Sequence, residues 1–124
     1  MKVIAELSGE HPGLPFAELG LVGEILDRRP QVAVVDCKSP GNLSRLSLTH
    51  AVSEYLGECE ADSRAFARLL KDLALCTGGT YAARVKKMEG CTMTGPAPEL
   101  ERLMGSLIGG RVRLENPDTE YRAV

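Results

Sequence analysis

The chain has 124 residues, a formal net charge of −2, 44% hydrophobic residues and 26% charged residues. That length suits one domain of common size or two very small subdomains, and the composition excludes a disordered or low-complexity chain. No apolar run reaches the roughly 18–20 residues that span a bilayer, and the N-terminus lacks a basic region with a cleavage site, so a cytoplasmic location is expected.

Lys2 to Glu6 has the period of a strand and leads into a Gly/Pro-rich stretch from Gly9 to Pro15. Phe16, Leu19, Val22, Ile25 and Leu26 recur at helical spacing, which predicts a helix running to Arg28-Arg29, where Pro30 stops it. Gln31 to Cys37 is a β-branched run and a strand. Ser39-Pro40-Gly41-Asn42 reads as a turn, with Asn42 capping a short helix through Leu43, Leu46 and Leu48. Ala51 to Ala61 reads as an extended segment. Asp62-Ser63 then caps a helix whose apolar stripe is Phe66, Leu69, Leu70 and Leu73. Thr77-Gly78-Gly79 is expected to end that unit. Thr80 to Met88 is the next strand, Gly90 to Pro98 a loop, and Leu100, Leu103, Met104, Leu107 and Ile108 line one face of a helix that Gly109-Gly110 terminates. Arg111 and Arg113 alternate with Val112 and Leu114, an Asn116-Pro117-Asp118 turn follows, and Thr119 to Val124 is a last strand. The order is β-α-β-α-β, then α-β-α-β-β. This points to two small α+β units with a boundary near Glu60 to Ser63.

The chemistry-bearing motifs are few. There is no Gly-x-Gly-x-x-Gly, no P-loop, no nucleophile elbow and no metal-binding His pair. Cys37, Cys59, Cys76 and Cys91 are 22, 17 and 15 residues apart, with only His11 and His50 to help them. Such spacing does not make a zinc site, and free thiols are the expected state. Glu58 and Glu60 share a strand face with nothing evident to shift their pKa values, so a solvated face explains them better than acid–base chemistry. His50, beside Thr49, reads as an ordinary surface or part-buried imidazole rather than a proton shuttle. Asn116-Pro117-Asp118-Thr119 superficially matches the Asn/Asp-Pro-Pro-aromatic motif of amino-methyltransferases. Asp118 in place of the second proline and Thr119 in place of the aromatic break the match.

The charge is unevenly spread. Residues 1–60 carry 5 Lys+Arg and 9 Asp+Glu, a net −4, whereas residues 61–124 carry 10 and 8, a net +2. On a strand from Thr80, Tyr81, Ala83 and Val85 face one way while Arg84 and Lys86 face the other, with Lys87 near the strand's end. Arg64, Arg68 and Lys71 recur on the side of their helix opposite Phe66, Leu69 and Leu73. With Arg111 and Arg113 these cations form the candidate RNA-phosphate contacts: Arg64, Arg68, Lys71, Arg84, Lys86, Lys87, Arg111 and Arg113. Five aromatic residues leave little for base stacking, so backbone and shape contacts would dominate.

Several short stretches, in order, carry a resemblance. Glu6-Leu7-Ser8-Gly9-Glu10-His11-Pro12 with Leu14-Pro15-Phe16-Ala17-Glu18-Leu19, then Leu56-Gly57-Glu58-Cys59, then Val112-Arg113-Leu114-Glu115-Asn116-Pro117-Asp118, resemble the N-terminal region of archaeal tRNA guanosine N2-methyltransferases that act at position 10. The last stretch is similar to the Val-Asp-Leu-x-Asn-Pro-Asp pattern of THUMP domains, with Arg113 where that pattern has Asp. The resemblance implies an α+β chain: a ferredoxin-like subdomain in residues 1–61 and a THUMP RNA-binding domain in residues 62–124, lacking its last strands. It also implies tRNA as the partner, gripped at its acceptor arm and 3′ end, and S-adenosylmethionine as the cofactor of a separate catalytic domain, with no cofactor or metal in this chain itself. The alternatives are the THUMP region of a thiolation or deamination enzyme, or a ferredoxin-like ligand-binding or dimerisation module. Since the sequence stops within an apolar strand, a frayed C-terminus or self-association through that strand's edge is expected.

Overall fold

The computed structural model describes residues 1–38, 46–88 and 90–124. Its elements are β1 (Lys2–Leu7), α1 (Leu14–Gly20), β2 (Glu24–Arg29), β3 (Val32–Asp36), β4 (Thr49–Glu54), α2 (Ser63–Leu73), β5 (Cys76–Val85), α3 (Ala97–Leu107), β6 (Gly109–Val112) and β7 (Thr119–Ala123). They form two units, one from Met1 to Tyr55 joined by Met88–Gly90, the other from Leu56 to Lys87 joined by Cys91–Val124. Both are mixed α/β.

The first unit is an antiparallel sheet of order β2-β3-β1-β4. Strand alternation sends Val3, Ala5 and Leu7 of β1 and Ala33 and Val35 of β3 to one face, where Phe16 and Leu19 of α1 complete the core with Cys37. His11 starts α1: its Nδ1 accepts hydrogen bonds from the amides of Gly13 and Leu14 at 3.0 and 2.9 Å. The Arg28 guanidinium lies 3.9 Å from the centre of the Phe16 ring and donates to the Pro12 carbonyl at 3.2 Å. Glu18 accepts from the Ser47 hydroxyl and the Leu48 amide, both at 3.2 Å. The opening motif residues His11, Pro12, Phe16 and Glu18 thus hold the α1 end of this unit together.

The expected helix to Arg28-Arg29 is corrected. It ends at Gly20, and Glu24–Arg29 is a strand that pairs with β3. Ile25 pairs with Val35, and Leu26, which the helical spacing would bury, is 47% exposed. The β-branched run of β3 needs a partner on its outer edge, and a hairpin satisfies that demand better than two more helical turns. Pro30 and Gln31 form its two-residue corner, with Gln31 at φ 63°. Gly23 precedes the strand because a Cβ there would lie 2.6 Å from Val35 Cγ1. The strand expected over Ala51 to Ala61 is shorter and earlier, at Thr49–Glu54, and residues 55–60 carry no regular structure. Among the described residues the first unit is therefore β-α-β-β-β. The turn at residues 39–42 and the Asn42 cap fall outside the described residues, as does Leu43, while Leu46 to Leu48 are not helical.

In the second unit α2 and α3 cover one face of a parallel sheet of order β6-β5-β7. Asp62 caps α2, accepting from the Arg64 amide at 2.8 Å. Phe66 and Leu70 of α2 and Leu100 and Met104 of α3 are buried with Ile108 against Tyr81 and Ala83. Tyr81 is 1% exposed and its hydroxyl donates to the Ile108 carbonyl at 2.9 Å and that of Gly105 at 3.3 Å. Two carbonyls at the end of α3 that the helix leaves open are satisfied in this way.

Two expected terminators play other parts. The α2 helix ends at Leu73, where Ala74 turns left-handed (φ 48°) and its amide reaches the Leu70 carbonyl. Thr77-Gly78-Gly79 lies inside β5, at an irregularity in its pairing with β6. The strand expected over Thr80 to Met88 accordingly spans Cys76–Val85. Gly109-Gly110 does not end α3 but opens β6, and Gly110 (φ 130°) passes close to the Thr77 carbonyl, which a Cβ would approach to 2.8 Å.

Candidate nucleic-acid interface

Parallel pairing in the second unit sorts its side chains into two faces. Tyr81, Ala83 and Val85 of β5, with Tyr121 and Ala123 of β7, meet the helices. Alternation turns Thr80, Ala82 and Arg84 the other way. The register sets Thr80 beside Arg111 of β6, Ala82 beside Glu120, and Arg84 beside Arg122 of β7. Arg113 continues the alternation of Arg111, and its amide extends the ladder by donating to the Tyr81 carbonyl at 2.8 Å. The helix-free face thus gathers Arg84, Arg111, Arg113 and Arg122 on three neighbouring strands. Arg84 Nη2 donates to the Leu114 carbonyl at 3.0 Å, and Arg122 Nη1 pairs with Glu120 Oε1 at 2.7 Å.

The turn between β6 and β7 is fixed from below. Asp118 Oδ2 accepts from the Thr80 amide at 2.9 Å and its hydroxyl at 3.1 Å. These backbone and hydroxyl bonds, then the nearby Arg113 charge, hold the Asp118 carboxyl below its ordinary pKa against a small opposing burial effect. Asn116 adopts φ 49°, a left-handed conformation that Asn tolerates. The Asn116-Pro117-Asp118 stretch is thereby a structural clamp on β5.

The eight cations singled out in the sequence do not form one patch. Arg84, Arg111 and Arg113 share the helix-free face, and Lys86 follows at the end of β5. Lys87 donates to the Met93 carbonyl at 3.1 Å and to that of Gly95, tying down the loop before α3. Arg64, Arg68 and Lys71 are exposed on the outer side of α2, across the layer from the sheet face, because Phe66 and Leu70 point inward. Arg122 stands outside that set of eight. It alternates visibly with Tyr121 and Ala123, but only the register, with β7 beside β5, places it next to Arg84.

Other candidates are chemically quiet. Burial raises the Cys59 pKa, with Glu60 and Asp62 adding to it, which disfavours a reactive thiolate. Among the described residues no three His, Cys, Asp or Glu side chains come together to hold a metal ion, and no helix is long and apolar enough to cross a membrane.

The chain is similar along its whole length to a tRNA (guanine(10)-N2)-dimethyltransferase of Methanothermobacter thermautotrophicus, with 30% identity over a 138-residue alignment. It spans 40% of that relative's length. No family model matches. Among solved structures, PH1313 of Pyrococcus horikoshii Ot3 shares the fold over 98% of this chain and 49% of its own, with a TM-score of 0.61 and 13% identity.

Proposed function

We propose that this chain is the tRNA-gripping region of a tRNA-modifying enzyme, a tRNA (guanine-N2)-methyltransferase first of all. It would dock the acceptor arm and 3′ end so that a catalytic domain outside these residues reaches its base. The observation that carries this reading is the similarity of the whole chain to 40% of the Methanothermobacter enzyme's length. The fold is compatible with it. The β4-β1-β3-β2 antiparallel order with α1 between β1 and β2 supports a ferredoxin-like subdomain, and the parallel second unit with its Asn-Pro-Asp clamp supports a THUMP-type domain. The excess of cations in residues 61–124 supplies the charge that phosphates require.

Filter binding of the whole chain to tRNA over a range of salt tests the proposal. For about four phosphate contacts, the log of affinity should fall against log salt with a slope of about −3. Binding that ignores salt, or no binding at low salt, would overturn the reading.

A further inference from the structure

The geometry points to a phosphodiester-binding site on the helix-free face of the β6-β5-β7 sheet, made by Arg84, Arg111, Arg113 and Arg122, in which the α2 row takes no part. This rests on the tRNA reading and narrows it to one surface. Neighbouring strands are about 4.8 Å apart, so the three cation-bearing strands span roughly 10 Å, enough for one or two phosphodiesters.

The register places Arg84 directly beside Arg122, and like charges so placed destabilise a sheet. Glu120 pairs with Arg122, and Asp118, held by Thr80, lies near Arg113. Arg84 spends one Nη2 hydrogen bond on the Leu114 carbonyl, which draws its planar head toward the strand of Arg111 and Arg113. A guanidinium has five donors in a fork that matches phosphate oxygens, so an anchored arginine still has donors to offer.

The same face defines the ligand's chemistry. Its rows hold Thr80, Ala82, Glu120 and arginines, while Tyr81 and Tyr121 lie on the helix side. With no aromatic platform on these rows, the site reads the backbone and not the bases. A stiff RNA helix laid on this face cannot also reach Arg64, Arg68 and Lys71, which project from the opposite side of the layer.

The test uses the whole chain and tRNA in salt-dependent filter binding. R111Q/R113Q should flatten the salt slope by about two units, one per arginine removed, and weaken binding to all tRNAs alike. R113D reverses one charge on this face and should flatten it as well, with the fold checked by circular dichroism. R64Q/R68Q/K71Q should leave the slope unchanged. If wild-type binding lacks salt dependence, the tRNA reading itself fails. If wild type shows the slope but R111Q/R113Q keeps it, or the α2 variant flattens it too, the reading stands and the sheet-face site is overturned.

Discussion

Asp118 and Thr80 bind each other from both directions. The Thr80 amide and hydroxyl donate to Asp118 Oδ2 at 2.9 and 3.1 Å, and the Asp118 amide donates to the Thr80 hydroxyl at 3.1 Å. The pair sits where β5 departs from regular pairing with β6. Gly79 is part of the arrangement, since a Cβ there would collide with the Asp118 carboxylate.

A pH dependence follows from this clamp. The Thr80 amide, its hydroxyl and then Arg113 hold the folded pKa of Asp118 below the unfolded value of about 3.9. Its stabilisation is therefore complete above that value and is lost as pH falls through the folded one. The melting temperature of the wild type should fall more steeply on acidification below pH ~4 than that of D118N. Parallel melting curves for the two proteins would show that the clamp carries no stability.

Gly110 offers a sharper structural test. Its φ of 130° and the 2.8 Å approach of a built Cβ to the Thr77 carbonyl leave no room for a side chain. G110A should destabilise the chain by more than about 1 kcal/mol in urea unfolding. G105A, on α3 with open space around a new Cβ, is the control and should be neutral or stabilising. Equal stability of G110A and wild type would mean that β6 enters the sheet differently.

Much of the second unit was legible because its signals are local. The Asp62 cap forms as expected. Of the Phe66, Leu69, Leu70 and Leu73 stripe, Phe66 and Leu70 enter the core. Leu100 and Met104 of the α3 face are buried, with Leu103 and Leu107 packed against the core and Ile108 joining it from just past the helix end. In the first unit, tertiary demand overrode local pattern. Val22, Ile25 and Leu26 fit a helix, yet the strand-rich run at Val32–Val35 recruits Ile25 and Leu26 into a hairpin. Glycines misled for a related reason. Gly78-Gly79 and Gly109-Gly110 look like stops, but they lie in paired strands, with Gly79 making room for Asp118 and Gly110 for the Thr77 carbonyl. The candidate site was half visible. Alternation revealed Arg84, Arg111 and Arg113, while the Arg84–Arg122 pairing depends on a strand order that no local signal encodes.

Tyr81 is a core residue with a polar task. Its hydroxyl is the donor that satisfies Ile108, and at 3.3 Å also Gly105, at the end of α3. Y81F keeps the ring and its packing but leaves the Ile108 carbonyl without this donor. The expected cost is about 1–3 kcal/mol in urea unfolding. Y121F is the comparison, since its hydroxyl meets Thr77 at 2.6 Å in a part-buried position and its loss should cost less. A Y81F protein as stable as wild type would show that water replaces the hydroxyl.

S-adenosylmethionine is not expected to bind these residues. A mononucleotide-type cofactor site is usually built by a glycine-rich turn at the end of a parallel strand, with free amides at the start of the following helix. Here β5 leads through a loop to α3, but that loop has no Gly-x-Gly-x-x-Gly, and Lys87 occupies its Met93 and Gly95 carbonyls. At the start of α3, Pro98 has no amide to offer, and the Glu99 and Leu100 amides already reach the Pro96 carbonyl. Gly78-Gly79 is no substitute, since it lies within β5 and is faced by Asp118. Calorimetric titration of this chain with S-adenosylmethionine should therefore give no binding heat. Micromolar affinity would place a cofactor pocket in these residues, and the division between a gripping region here and chemistry elsewhere would fall.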